Sequence, residues 1–366
     1  MKVLQIIYSG LGGHGSVAFS LLNADNSQEW KSLMCFVGVE PLSPAYFQLC
    51  QKLDIQFEYF SATSGKPWKT WRSIYYWLRV CLPDAVILHS PTLILPFYWY
   101  SKRYRVPLII VEHQANALKR PTDWAASFLG MSLADGVVLL TPDYNEEIKR
   151  CLSVFYKQHI IRIIPNGIDT ELFVPQPRLS EKLRVVRLGM AARFTHTKRQ
   201  DVLVEMMVYL NRRVPEIDWH LSLAGIGDNW KNIKHLIEEK SIGERIELPG
   251  QLDECELISW YQSLNIYLLA SDGETLNTSL LQAMSTGLPV VASDSPGISN
   301  FVNREKQYGL LVQAQSPQGF ADAVIDLVQN PPLCKRLGDA GRLLVKTSYS
   351  HEKMFADYRE LLQKYV

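Results

Sequence analysis

The 366-residue sequence has only six cysteines, and none of them forms a Cys-x-x-Cys pair. Cys35, Cys50, Cys81, Cys151, Cys255 and Cys334 are scattered, and no His cluster at zinc spacing accompanies them. That excludes a zinc-ribbon or disulfide scaffold and points to thiols in a reducing compartment. Long apolar runs are missing too. The most apolar window, Ala85 to Tyr100, is broken by His89, Ser90, Pro91, Thr92 and Pro96. It falls short of the ~20 residues that a membrane-spanning helix needs. Met1-Lys2 leads straight into Val3 to Tyr8, too short for a signal-peptide core, so a cytoplasmic location is expected. Net charge is nearly absent, at +1, which gives no global attraction to nucleic acid.

What is present is a globular chain, 47% hydrophobic and long enough for two domains. Short β-branched runs alternate with longer amphipathic stretches, the texture of an α/β chain with parallel sheets. Strands are expected at Val3 to Tyr8, Ser32 to Val37, Ile55 to Phe60, Ala85 to His89, Leu108 to Glu112, Gly136 to Thr141 and Ile160 to Ile164. Helices over Trp68 to Val80 and Asn145 to Phe155 are suited to crossovers. At Pro165 the texture changes, with Gly167, Pro175 and Pro177 close behind, which marks a domain boundary. A second series of strands begins at Val185, Trp219, Arg245, Asn265, Leu288 and Gly309, and two helices close the chain, Pro332 to Lys346 and His351 to Tyr365.

Charge is unevenly spread. Up to Pro165 there are 16 Lys and Arg against 12 Asp and Glu, and the remainder carries an acidic excess. Between Phe60 and Ile110, Lys66, Lys69, Arg72, Arg79, Lys102, Arg103 and Arg105 face one acid, Asp84, and are interleaved with Trp68, Trp71, Tyr75, Tyr76, Trp77, Trp99, Tyr100 and Tyr104. Such a mixture suits an anionic membrane surface, and equally a solvated helix face over core aromatics.

Gly10-Leu11-Gly12-Gly13-His14-Gly15 follows the first strand with G-x-G-x-x-G spacing, and Glu40 follows the second. An NAD-type enzyme is therefore one reading, and a tight glycine turn is the other. In the second half Arg193 lies just past a strand and Lys198 five residues on, well placed for a diphosphate at the carboxyl edge of a parallel sheet. Ser271-Asp272-Gly273-Glu274-Thr275-Leu276-Asn277-Thr278 then links a strand to a helix start, offering a carboxylate for sugar hydroxyls and N–H groups for phosphate.

With these residues the chain resembles the retaining glycosyltransferases of family 4, whose GT-B fold sets two Rossmann-like doubly wound domains facing a cleft. The resemblance rests on Pro165-Asn166-Gly167-Ile168-Asp169, Arg193 with Lys198, Ala224-Gly225-Ile226-Gly227-Asp228, Pro249-Gly250 and Ser271 through Val291, with Gly12-Gly13 as weaker support. It implies an acceptor-side domain over 1–165, a nucleotide-sugar-binding domain over 166–349, and a helix over 350–366 that crosses back to the first. Arg193 and Lys198 are then implied to hold the donor diphosphate, with no metal and no cofactor beyond a UDP- or GDP-linked sugar. The chain has no Asp-x-Asp. Glu274 is implied to contact the transferred sugar, and Leu276, Asn277 and Thr278 the phosphates. His113 matches the family's histidine beside the donor sugar, His89 is a second candidate, and Gly12 and Gly13 are implied to line the donor site. The second acid of the family's Glu-(seven residues)-Glu signature is replaced by Gln282, and the Gly-(Ile/Val)-Pro-Glu segment reads Gly297-Ile298-Ser299-Asn300. The acceptor implied is a glycan or lipid-linked glycan in surface polysaccharide synthesis, such as lipopolysaccharide, O-antigen or capsule, at the inner membrane face. The alternative is a catalytically weak nucleotide-sugar-binding scaffold partner.

Overall fold

The computed structural model describes the chain except residues 11–12, 26–28, 63–66, 115, 117–118, 177–183, 303–306 and 366 and the side chains of 13, 16 and 300. The expectations placed on Gly12, Lys66, the second half of the linker and the Asn300 side chain lie outside the described residues. The chain divides into two compact units, Met1–Ile168 together with His351–Val366, and Asp169–Ser350.

In the first unit seven parallel strands run β1 (Lys2–Tyr8), β2 (Lys31–Gly38), β3 (Gln56–Ser61), β4 (Ala85–Leu88), β5 (Leu108–Glu112), β6 (Gly136–Leu139) and β7 (Ile161–Ile163), in the spatial order β3-β2-β1-β4-β5-β6-β7. The central strands are near-continuous apolar runs because helices cover both faces. Those helices are α1 (Gly13–Asn23), α2 (Pro44–Lys52), α3 (Pro67–Cys81), α4 (Ile94–Tyr104), α5 (Pro121–Leu133) and α6 (Pro142–Cys151). On one face Leu4, Ile6 and Leu88 pack with Ile74 and Leu78 of α3 and Phe97 and Tyr100 of α4. On the other, Ile7, Met34 and Phe36 pack with Ala18, Phe19 and Tyr46 of α1 and α2.

The second unit has six parallel strands, β8 (Val185–Ala191), β9 (Asp218–Ala224), β10 (Ile246–Gly250), β11 (Ile266–Leu269), β12 (Val290–Ser293) and β13 (Leu310–Val312), ordered β10-β9-β8-β11-β12-β13. Its helices are α7 (Gln200–Arg213), α8 (Trp230–Glu239), α9 (Glu254–Ser263), α10 (Thr278–Ser285), α11 (Ser299–Val302), α12 (Pro317–Gln329) and α13 (Pro331–Ser348). The last helix, α14 (His351–Leu362), is part of the first unit. Met354, Phe355, Tyr358, Leu361 and Leu362 recur at helical spacing and are buried, with Phe355 against Trp30 at 4.7 Å between ring centroids and Arg359 on Glu29 at 2.9 Å.

Element boundaries shift by a residue or two from the sequence reading, and more at α6 and at the end of α14, which stops at Leu362 rather than Tyr365. That helix starts at Pro142 because Thr141 caps it, accepting the Tyr144 amide at 3.2 Å, with Pro142 in the first turn where no N–H is needed. It ends at Cys151, so the apolar tail Leu152 to Phe155 forms turns.

Candidate functional site

Each sheet has one point where strand order reverses, between β1 and β4 in the first unit and between β8 and β11 in the second. Crossovers leave in opposite directions there and open a crevice at the carboxyl ends of the strands, where ligands of open α/β sheets bind. The singled-out residues fall on these two crevices.

In the second unit Arg193 and Lys198 lie beyond the end of β8, and Glu274 and Asn277 beyond that of β11. Lys198 Nζ donates to Glu274 Oε1 in a half-buried ion pair, and Asn277 Nδ2 donates to the same oxygen at 3.0 Å. Two donors thus fix one carboxylate oxygen. Asn277 also caps α10, its Oδ1 accepting the Leu280 amide at 2.9 Å. The amides of Thr278 and Ser279 hold the first-turn position that every helix leaves without an internal partner, at the positive end of its dipole. The loop beyond β11 is braced from both sides. Ser271 Oγ donates to the Thr197 carbonyl at 3.3 Å, the Asp272 amide bonds the same carbonyl at 3.0 Å, and the Glu274 amide reaches Pro296 O at 3.0 Å. Arg199 spans Asp201 at 2.9 Å and Asp272 at 3.5 Å. Arg193 itself is exposed.

Gln282 stands one turn into α10, 3.1 Å from the hydroxyl of Tyr261, which is also 3.1 Å from Ser279 O. A hydroxyl has one proton, so it serves one of these oxygens fully at a time. The loop beyond β9 packs directly on that beyond β8: a Cβ on Gly225, at φ +131°, would lie 2.1 Å from Ala192 O. Ile226, Gly227, Asp228, Trp230, Lys231, Leu248, Pro249 and Gly250 line a recess of about 630 Å³ at the ends of β9 and β10, next to β8 in the sheet.

In the first unit the crevice is flanked by Gly10 and by the start of α1 at Gly13, residues 11 and 12 lying outside the described residues, and by His89 and His113 at the ends of β4 and β5. The rings of His89 and His113 stack at 5.2 Å, with Nδ1 of His89 3.0 Å from Nε2 of His113. His89 Nε2 lies 3.0 Å from Gln5 Oε1, so His89 carries its proton on Nε2 and His113 Nε2–H donates to His89 Nδ1. Burial, with His14 adding to it, holds His89 down to about 3. Burial and then the neighbouring histidines also hold His113 well below the ordinary range, so both rings are neutral at pH 7. Gln5 escaped the sequence reading because it sits inside an apolar strand. It is wholly buried, and its Nε2 lacks a partner among the described residues. An orphan amide costs about 1–3 kcal/mol, a cost that makes sense if this residue serves the histidines rather than the packing. Glu112 forms a buried ion pair with Lys119 at 2.9 Å, with Lys119 also over Trp124 at 4.7 Å, which ties Lys119 and α5 to the end of β5. Glu40, the acid of the nicotinamide reading, accepts from Tyr8 at 3.1 Å.

The basic aromatic stretch is displayed on α3 and α4. Trp68, Tyr76 and Trp99 are 58%, 51% and 52% exposed, Trp71 meets Trp99 edge-on at 6.0 Å, and Arg72 lies over Tyr76. Among the described residues no helix is long and apolar enough to cross a membrane, and no group of three or more His, Cys, Asp or Glu is placed to hold a metal.

Two Rossmann-like α/β units with ligand crevices at their switch points define the GT-B class of sugar-transferring enzymes. Residues 12–172 match the family model for Glycosyltransferase Family 4 and residues 176–344 that for Glycosyl transferases group 1. The chain is 30% identical over 261 residues to a D-inositol 3-phosphate glycosyltransferase of Paenarthrobacter aurescens, covering 66% of this chain and 63% of that relative. It thus spans slightly less than two thirds of that relative's length. It is 25% identical over 370 residues to an uncharacterized glycosyltransferase of Haemophilus influenzae, covering 96% of each. Anabaena HepE, solved in complex with UDP-glucose, superposes with a TM-score of 0.84 over 100% of both chains at 16% identity, a likeness of fold. The chain belongs to the glycosyltransferases of the family 4 and group 1 type.

Proposed function

We propose that the protein transfers a sugar, with retention of anomeric configuration, from a nucleotide sugar to a glycan or lipid-linked glycan acceptor, without a metal. The observation that carries this reading is the Lys198–Glu274 pair at the switch point of the second unit, backed by Asn277. An aligned carboxylate beside a cation and a helix N-terminus suits a sugar hydroxyl next to a diphosphate. Arg193 and Lys198 would stabilise the charge that develops on the departing phosphate, the amides of Leu276 and Asn277 and the hydroxyl of Thr278 would face its oxygens, and the recess lined by Ile226 and Pro249 has room for the nucleoside. In the step proposed, the acceptor oxygen bonds the anomeric carbon on the face from which the phosphate leaves, the carbon–phosphate-oxygen bond breaks, and that oxygen takes the acceptor proton. His113 would contact the transferred sugar, and the first unit would choose the acceptor. Because HepE carries UDP-glucose, UDP-hexoses are the first donors to try, ahead of GDP-linked ones.

Peripheral attachment at the inner membrane face, with a role in surface polysaccharide synthesis, is part of this reading, and the aromatic and basic side chains displayed on α3 and α4 support the attachment. Calorimetry and turnover with a panel of nucleotide sugars test the whole reading: one donor should bind and be consumed in the presence of acceptor. Gln282, in place of an acid, motivates the second reading, a nucleotide-sugar-binding scaffold, and donor binding with neither transfer nor slow hydrolysis would favour it.

A further inference from the structure

At the opposite, amino-terminal edge of the first sheet, where β5, β6 and β7 begin, lies a pocket of about 560 Å³ that the transfer reading does not use. Its walls bring Lys102, Lys157, Arg162 and Lys364, with His159, around a single carboxylate, Asp135. These cations come from α4, from the segment before β7, from β7 itself and from beyond α14. Two of them are pinned by the backbone: Lys157 Nζ donates to Ser132 O at 3.0 Å and Arg162 to Ile161 O at 2.9 Å. An ammonium has three donors and a guanidinium five, so each keeps most of its capacity. The floor is closed by Tyr365, whose hydroxyl donates to Asp135 O at 2.8 Å, while the Asp135 carboxylate accepts the Leu108 amide at 2.9 Å and faces Lys102 at 3.8 Å.

The bland account of such cations is that they complement helix C-termini. α5 and α14 both end at this pocket, and each C-terminus is equivalent to about half a negative charge. Two helix ends and Asp135 together offset about two of the four cations. An excess of about two positive charges remains around this one pocket, on a scale comparable with the ~8 Å screening length of physiological salt. That excess suits a phosphate group, from a phosphodiester monoanion to a diphosphate.

We propose that this pocket binds a phosphate group. Its wall helix α4 also carries Trp99 and Arg103 of the exposed aromatic face, so the phosphate in question is that of an anionic lipid headgroup. The lipid identity rests on the membrane reading above; the phosphate site does not.

The test compares the full-length wild type with the triple variant Lys157→Gln, Arg162→Gln, Lys364→Gln, all surface changes compatible with folding. In a thermal-melt titration with inorganic pyrophosphate in chloride buffer, the wild type should gain a saturable rise in melting midpoint, and the triple variant should need about ten-fold more anion for the same rise. Lys198→Ala removes the donor crevice's own share of the pyrophosphate response and should keep the component that the triple variant loses, and Lys52→Gln, an unrelated surface cation, should behave as wild type. Matching titrations for wild type and triple variant, or a Lys198→Ala protein that no longer responds to pyrophosphate at all, would overturn the proposal. Co-sedimentation separates the sources: weaker binding of the triple variant to phosphatidylglycerol vesicles, with none of either protein to phosphatidylcholine, identifies a headgroup. Unchanged vesicle binding alongside a weakened pyrophosphate response identifies a soluble phosphate ligand and overturns the lipid assignment.

Discussion

A single carboxylate oxygen accepting from both Lys198 and Asn277 fixes Glu274 at the carboxyl edge of the second sheet, and the sharpest expectations of the proposed transfer follow from it. Glu274→Ala and Lys198→Ala should each lower kcat by at least about 10²-fold, the scale of losing one positioned charge in a reaction centre, with circular dichroism unchanged. Near-wild-type turnover in either would remove the site assignment. Gln282→Glu should leave donor affinity equal or better, because a carboxylate can accept from Tyr261 and a ribose hydroxyl at once; isothermal titration measures this, and a large loss would mean that the amide N–H makes a donor contact. Gln5→Leu should lower kcat about ten-fold at nearly constant KM and shift the histidine ¹⁵N resonances, because His89 loses the acceptor that fixes its tautomer. At this scale the sequence was informative where a residue type is unusual for its place. Glu274 after a strand and paired cations near a helix start are conspicuous, whereas Gln5 is hidden among Val3, Leu4, Ile6 and Ile7, and only its distance to His89 in space reveals it.

Elements carry the next layer. The loop bearing Glu274 is shaped by the loop after β12, where Gly297 sits at φ +80° and an added Cβ would fall 1.7 Å from Glu274 O. Gly297→Ala should therefore destabilise the second unit by roughly 2–4 kcal/mol and, even where the protein still folds, weaken donor binding by displacing Glu274; melting and calorimetry read the two effects separately. On α3, replacing Lys69 and Arg72 by Ser should reduce co-sedimentation with anionic vesicles if the proposed attachment holds, and no change would make α3 a solvated helix. Strand positions were legible because buried parallel strands are apolar throughout, and the order of elements followed from their alternation. Helix α6 was misplaced because its start is set by a Thr-Pro cap rather than by hydrophobic periodicity. The second crevice was readable as a motif, but the packing of the β9 loop onto Ala192 was not, since nothing local in Gly225 says which backbone approaches it.

For the molecule as a whole, the paired neutral histidines link acid stability to the first unit. His89 is held down to about 3 when folded and returns to its ordinary value near 6.5 when unfolded, so the unfolded chain binds more protons between those values. Stability is full above about pH 6.5 and declines as pH falls toward 3. Melting followed by a probe in the first unit should show this decline, and His89→Gln should flatten it. The first unit is also assembled from two stretches of chain, with α14 added from beyond Ser350. During synthesis the ribosome releases the first seven strands long before Phe355 arrives to cover Trp30. The nascent first unit must then wait, the patch around Trp30 bare, while the entire second unit is translated, which at roughly 5–20 residues per second leaves an interval of about nine seconds or more in which a chaperone has something to hold.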